Sequence, residues 1–215
     1  MHNRHTDGTV AFYAYDTPNC RKISVALEEM QIPYQVRVVD LAKGEQFHPE
    51  FLTISPNNKV PAIVDPKGPS GTAISVFESG AILVYLGEKS GKFWPKDISA
   101  RIPVLEWLMF QVGGFGPIPG QVHHFLGLKD ENERRYGLMR FSKETLRLYH
   151  VMDRRLALNE FFAGELSIAD FAILGWVWRH QRHQVALENF PRINRWYIAM
   201  MGRPGVKRGF SVPLK

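Results

Sequence analysis

The chain has 215 residues, 45% of them hydrophobic and 22% charged. That excludes wholesale disorder and leaves ample material for a buried core, in one large domain or two small ones. The net charge of +6 is spread along the chain, as in Arg21-Lys22, Arg134-Arg135, Arg154-Arg155 and Lys207-Arg208. With no dense basic run and no zinc or helix-turn-helix signature, it reads as a mild preference for anionic ligands, with nucleic acid a weak alternative. The single cysteine, Cys20, rules out a disulfide framework within the chain and fits a reducing compartment. Met1 to Gly8 is polar and lacks the apolar core of a secretory signal, and no apolar run approaches a membrane span. The expectation is a soluble, cytoplasmic protein with neither a membrane nor a nucleic acid as partner.

Val10 to Tyr15 reads as an apolar strand, and Asp16-Thr17-Pro18-Asn19 as a turn. Arg21 to Gln31 follows as a helix with Ile23, Leu27 and Met30 near one face, capped by Asn19 with Thr17 just upstream, and stopped by Ile32-Pro33. Glu28-Glu29 reads as a solvated helix face and not as a catalytic carboxylate pair, because adjacent residues point in different directions. Tyr34 to Val39 is a second strand, and Gln46 to Leu52 a short helix or irregular turn. The polar turn from Ser55 runs into Val60-Pro61 and the short strand Ala62 to Asp65. Proline cannot donate to a ladder, so Pro61 belongs at the front of that strand. A cis bond there would leave both backbone groups of Val60 open to an extended peptide pairing as an added strand.

Gly68 to Gly71 is a hairpin-like loop, Ala73 to Phe77 the next strand, and Ala81 to Glu88 a helix ended by Gly91. The order βαβ then ββα is the thioredoxin-like arrangement, with the first helix as the crossover for a parallel pair. Residues 92–98 read as a linker between a domain spanning 1–91 and an all-helical domain spanning 99–215. In the latter, the helix from Leu105 must kink, pause or end in Gly113-Gly114-Phe115-Gly116-Pro117-Ile118-Pro119-Gly120. Glu131 to Leu158 is one long amphipathic stretch, and Ser167 with Asp170 forms a capping box. The last helix begins at Asn189-Phe190-Pro191 and ends near Arg203-Pro204-Gly205.

Phe77-Glu78-Ser79-Gly80 lies where a strand gives way to a helix. Ser79 and the following free amides suit a carboxylate, and Glu78 beside them accepts from an ammonium. Both together fit the head of an α-amino acid, while Val60 offers backbone pairing to a mid-chain peptide unit. Glutathione has both features. His123-His124 and the pair His180 and His183 have no Cys or carboxylate at ligand spacing, so no metal is expected. Phe171, Trp176 and Trp178 read as helical core.

The ordered set Thr17-Pro18-Asn19, Asn58-Lys59-Val60-Pro61, Phe77-Glu78-Ser79-Gly80 and Ser167-Ile168-Ala169-Asp170 resembles a glutathione transferase over nearly the whole chain. Lys43-Gly44-Glu45-Gln46-Phe47, Gln111-Val112-Gly113-Gly114-Phe115-Gly116-Pro117 and His123-His124-Phe125 are similar to the bacterial nu-class branch, the glutathione-dependent disulfide-bond reductases. The resemblance implies a thioredoxin-like N-terminal domain followed by a helical-bundle C-terminal domain, a homodimer, and glutathione as substrate or co-substrate without a metal. It implies Gln46 and Lys59 at the glycine end of glutathione, Val60 and Pro61 at the cysteinyl unit, and Glu78 and Ser79 at the γ-glutamyl head. Arg140 would assist the bound tripeptide, and Thr17 and Asn19 would face the sulfur and favour its thiolate. The branch has glycine where this chain has Cys20, which is expected to face away from the ligand. The expected activity is disulfide reduction. The alternatives are conjugation of an electrophilic small molecule and glutathione binding by a regulator with little turnover.

Overall fold

The structure is a computed structural model that describes residues 8–214. The polar stretch Met1 to Gly8 judged above therefore lies, Gly8 apart, outside the described residues. Two compact units are present, one formed by residues 8–94 with 204–214, the other by residues 95–203.

In the first unit a four-stranded sheet has the order β2-β1-β3-β4, with β1 at Val10–Ala14, β2 at Tyr34–Val38, β3 at Ala62–Asp65 and β4 at Ile74–Phe77. β1 pairs parallel with β2 and antiparallel with β3, and β3 pairs antiparallel with β4. Helix α1, Pro18–Met30, is the crossover that the parallel pair requires. Val10, Ala11, Phe12 and Ala14 are buried because β1 is an interior strand covered on both faces. Short α2, Pro49–Leu52, precedes the β3 turn, and α3, Ser79–Ser90, leaves the end of β4. This is the thioredoxin-like arrangement expected from the order of elements.

Two expectations are corrected here. The helix that begins at Pro191 does end at Arg203-Pro204-Gly205, as expected, but it is not the last one. α8, Pro191–Gly202, stops there, and α9, Pro204–Ser211, starts with the same proline, because a residue without an N–H is as well suited to a first helical turn as to a stop. Glu28 and Glu29 are not a solvated face either. Glu28 pairs with Arg208 at 2.7 Å and accepts from Tyr34 Oη at 2.8 Å, and Glu29 accepts the Val206 amide at 3.1 Å. α9 packs so closely on α1 that a Cβ on Gly209 would stand 2.6 Å from the Val25 Cα.

In the second unit α4 spans Ile98–Phe110 and passes into a π-turn at Gln111–Phe115, closed by the Gly116 amide on the Gln111 carbonyl at 2.8 Å. Pro117 then opens α5, Pro117–Leu126, so the glycine-proline run pauses one helix and starts another. Long α6, Glu131–Arg155, and α7, Ile168–Val177, complete this unit together with α8. Every residue of α7 is buried, and Phe171 and Trp176 pack in the core as expected, while Trp178 is half-buried against the Arg179 guanidinium. The capping box is present. Asp170 also accepts from the Phe162 amide at 3.2 Å and from Trp196 Nε1 at 3.0 Å.

Candidate active site

The turn ahead of β3 is held by its own side chains. Asn58 adopts φ 48°, a left-handed conformation that asparagine tolerates better than most residues, and its amide donates to the Ser55 carbonyl at 2.9 Å. The buried Ser55 hydroxyl donates to the Lys59 carbonyl at 2.8 Å. The Val60–Pro61 bond is cis, as expected. β3 begins only at Ala62, and among the described residues neither backbone group of Val60 takes part in a hydrogen bond.

Ala62 pairs with Phe77, so the end of β4 runs alongside this turn. The next residue, Glu78, has φ 67° and ψ 118°, and α3 starts after it. A non-glycine residue there costs about 1–3 kcal/mol, a strain that recurs at ligand sites. Among the described residues Glu78 receives only a long hydrogen bond from Asn57 Nδ2, at 3.4 Å, and it does not cap the helix with its side chain. The first amides of α3 therefore have no cap from Glu78, and the helix dipole adds positive potential at that point. Asn19, Lys59, Val60, Pro61, Glu78 and Ser79 all line one cleft between these segments. Its enclosed part holds about 50 Å³, room for a water or a small end-group. It can grip one end of a ligand but cannot engulf a tripeptide.

α1 supplies the third wall. Its cap is Thr17 and not Asn19: Thr17 Oγ1 accepts the Cys20 amide at 3.2 Å, Pro18 occupies the first helical position, and Asn19 is left to line the cleft. The reason is the proline, whose preferred place one residue after a cap fixes the cap at Thr17. Cys20 is fully buried, takes the Tyr15 amide on Sγ at 3.5 Å, and has its thiol pushed up by desolvation to about 11.

Lys22 is the main residue of this site that the sequence reading passed over, having been counted with the spread surface charge. It is 1% exposed, and its Nζ donates to Ser79 Oγ at 3.1 Å beneath the cleft. Burial pushes its ammonium down to about 7, against the opposing fields of Glu78 and Cys20. The available signal was spacing: Lys22 lies three residues after Asn19 and so on the same helix face. Ser55 and Asn57 also line the cleft without having been singled out.

The remaining expected residues are not among those that line this cleft. Thr17 is at the same helix end but is not among the lining residues. Gln46 sits in a 3-10 turn at Glu45–Phe47, whose neighbour Glu45 accepts the Asp40 amide at 2.7 Å, and its Oε1 is buried without a partner among the described residues. Arg140 is exposed on α6 in the other unit. His123 and His183 stack with ring centroids 5.0 Å apart in the second unit. Desolvation pushes them down to about 4 and about 2. Among the described residues no group of three or more His, Cys, Asp or Glu side chains is placed to hold a metal ion, and no helix is long and apolar enough to cross a membrane.

A thioredoxin-like unit with a helix start uncapped by Glu78 beside a backbone position that the sheet leaves unpaired, joined in sequence to a helical unit, is the class of fold that these observations define. Comparison with known proteins makes this specific. The glutathione S-transferase N-terminal domain family matches residues 17–89 and the C-terminal domain family residues 117–204. The chain belongs to the glutathione S-transferase family. It is 45% identical over 197 residues to the disulfide-bond oxidoreductase YfcG of Escherichia coli, covering 91% of each chain. A Pseudomonas fluorescens glutathione transferase family member with two glutathiones bound superposes with a TM-score of 0.91 at 38% identity, covering 98% of this chain and 96% of that one. A Pseudomonas putida glutathione transferase with one glutathione disulfide bound per subunit gives 0.90 at 38% identity, covering 98% and 94%.

Proposed function

We propose that the protein is a glutathione-dependent disulfide-bond reductase. The observation that carries the reading is the convergence of Val60, Glu78, Ser79 and Asn19 on one cleft. An extended peptide pairs with the Val60 backbone, the γ-glutamyl carboxylate meets Ser79 and the first α3 amides, and Glu78 takes the ammonium. Lys59 and Gln46 serve the glycine end, Pro61 shapes the cysteinyl position, and Arg140 assists the bound tripeptide. Asn19, with Thr17, donates to the sulfur and favours its thiolate. The relatives named above, one a disulfide-bond oxidoreductase and one holding glutathione disulfide, support the same reading.

The bound thiolate attacks one sulfur of a disulfide, forming a mixed disulfide and releasing a thiolate. A second glutathione thiolate attacks the glutathionyl sulfur, forming glutathione disulfide and releasing the second thiolate. Two glutathiones lose one electron each, the substrate disulfide gains both, and the two protons lost by the glutathione thiols end on the product thiols. The enzyme acts as a homodimer in the cytoplasm, a reducing compartment that the lone Cys20 suits.

The test is a pair of assays on purified protein with glutathione, one with a small disulfide and one with an aryl halide. Reduction of the disulfide, lowered in Ser79→Ala, is the expected result. Activity on the aryl halide alone would make the protein a conjugating transferase. Glutathione binding with activity on neither would make it a regulator.

A further inference from the structure

We propose that Lys22 is a positioning residue of the anion subsite, fixing the Ser79 hydroxyl so that it donates into the cleft and selects a carboxylate. The inference rests on the glutathione reading above and deepens it. An ammonium has N–H donors and no lone pair, so in the 3.1 Å contact Ser79 Oγ must accept. The hydroxyl has one hydrogen left to donate, and Ser79 lines the cleft. A hydroxyl that already accepts from a charged donor is also polarised toward donating. The subsite is therefore set for an acceptor and rejects a donor. Two side chains thus act as one unit, the buried one never touching the ligand.

A purely structural role does not require a charge here. The Lys22 side chain is closed off from water, and an apolar side chain of similar length would fill the same space without an ammonium to desolvate. Deprotonation would free the hydrogen bond to reverse. A neutral amine keeps two N–H donors but gains a lone pair, so the Ser79 hydrogen can turn back toward Lys22 and the subsite no longer has a fixed donor.

The surroundings of Lys22 leave it as the group that titrates. Glu78 from the start of α3 and Cys20 on its own helix are the ionisable groups whose fields reach it. α9, packed on α1, brings exposed Lys207 and Arg208, and Arg208 is paired with Glu28. β3 brings Asp65, which is paired with Lys89 at 2.8 Å and with Tyr85 at 2.6 Å. Arg21 is directed to Asp16 and to the Val212 carbonyl, both at 2.8 Å.

The experiment is calorimetric titration with S-methylglutathione, which has no ionisable thiol, on the wild type, Lys22→Met, Ser79→Ala and the double variant, from about pH 6 to about pH 8. Wild-type affinity is expected to fall about tenfold over that range relative to Lys22→Met, whose affinity is already about tenfold lower at the acid end. The double variant should bind no more weakly than Ser79→Ala. A Lys22→Met profile equal to wild type, or losses that add in the double variant, would overturn the inference and leave the glutathione reading intact. If Lys22→Met does not fold, wild type and Ser79→Ala decide: their affinities must converge as pH rises, and a constant ratio overturns the inference. No wild-type binding at any pH overturns the glutathione reading and this inference with it.

Discussion

Thr17 and Cys20 share a single hydrogen bond that sends their side chains to different places: Thr17 Oγ1 takes the Cys20 amide at 3.2 Å, and the Cys20 thiol turns into the core with no exposed surface. A nucleophilic cysteine needs access and a lowered pKa, and Cys20 has neither, because desolvation outweighs the help it receives from Thr17 and the Tyr15 amide. Cys20→Ala is accordingly expected to keep disulfide-reductase activity within about twofold, the side chain acting as a small hydrophobe. Steady-state assay of the folded variant checks this. A fall of orders of magnitude with glutathione binding preserved would make Cys20 the nucleophile.

Glu78, the proposed partner of the ligand's ammonium, holds a backbone conformation that only glycine adopts at ease. Glu78→Gly is expected to raise the urea midpoint, gaining up to about 1 kcal/mol, while glutathione affinity falls by about 1–2 kcal/mol through loss of the ammonium partner. Glu78→Gln should lose affinity by a similar amount with no gain in stability. Equal affinity in both variants, measured calorimetrically, would remove Glu78 from the head-group site.

The two halves of the cleft were legible in the sequence for different reasons. Val60-Pro61 and Glu78-Ser79 are local signals, a proline at a strand start and a polar break at a strand-to-helix joint, and the chain conforms to both. The exchange of caps between Asn19 and Thr17 was a local matter too, and Pro18 decided it. Lys22 was not legible, because its role depends on Ser79, fifty-seven positions along the chain, burying it. α9 was hidden by the ambiguity of Pro204, and with it the true partners of Glu28 and Glu29. What periodicity cannot supply is the partner across the sheet or the packed helix, and burial of charge is always decided by that partner.

Asp170 does more than close a capping box. Its carboxylate accepts the Ser167 amide at 3.0 Å and Ser167 Oγ at 3.2 Å, together with the Phe162 amide and Trp196 Nε1, joining the start of α7 to the preceding chain and to α8. Asp170→Asn puts an NH2 group among donors and should cost about 2–4 kcal/mol in denaturant titration, more than the roughly 1 kcal/mol of an ordinary cap. Any residual folded fraction should bind glutathione normally. A stable variant without activity would mean that Asp170 belongs to the site.

Lys22 makes a prediction about folding that is separate from the one about binding. Its ammonium loses its proton near pH 7 in the folded chain, and near the ordinary lysine value of about 10.4 in the unfolded chain. Between those values the unfolded chain binds more protons, so this residue makes stability rise with pH. Below the lower value both states are charged and the folded state bears the whole desolvation cost. Lys22→Met is expected to be more stable than wild type by about 2–4 kcal/mol at pH 6, the advantage shrinking steadily toward pH 10. Urea midpoints at several pH values check both the sign and the slope. Equal stability of the two proteins throughout would show that the ammonium is solvated or fully compensated where it lies. A gain in stability together with a loss of ligand affinity is the pattern expected of a charge kept in the core for function.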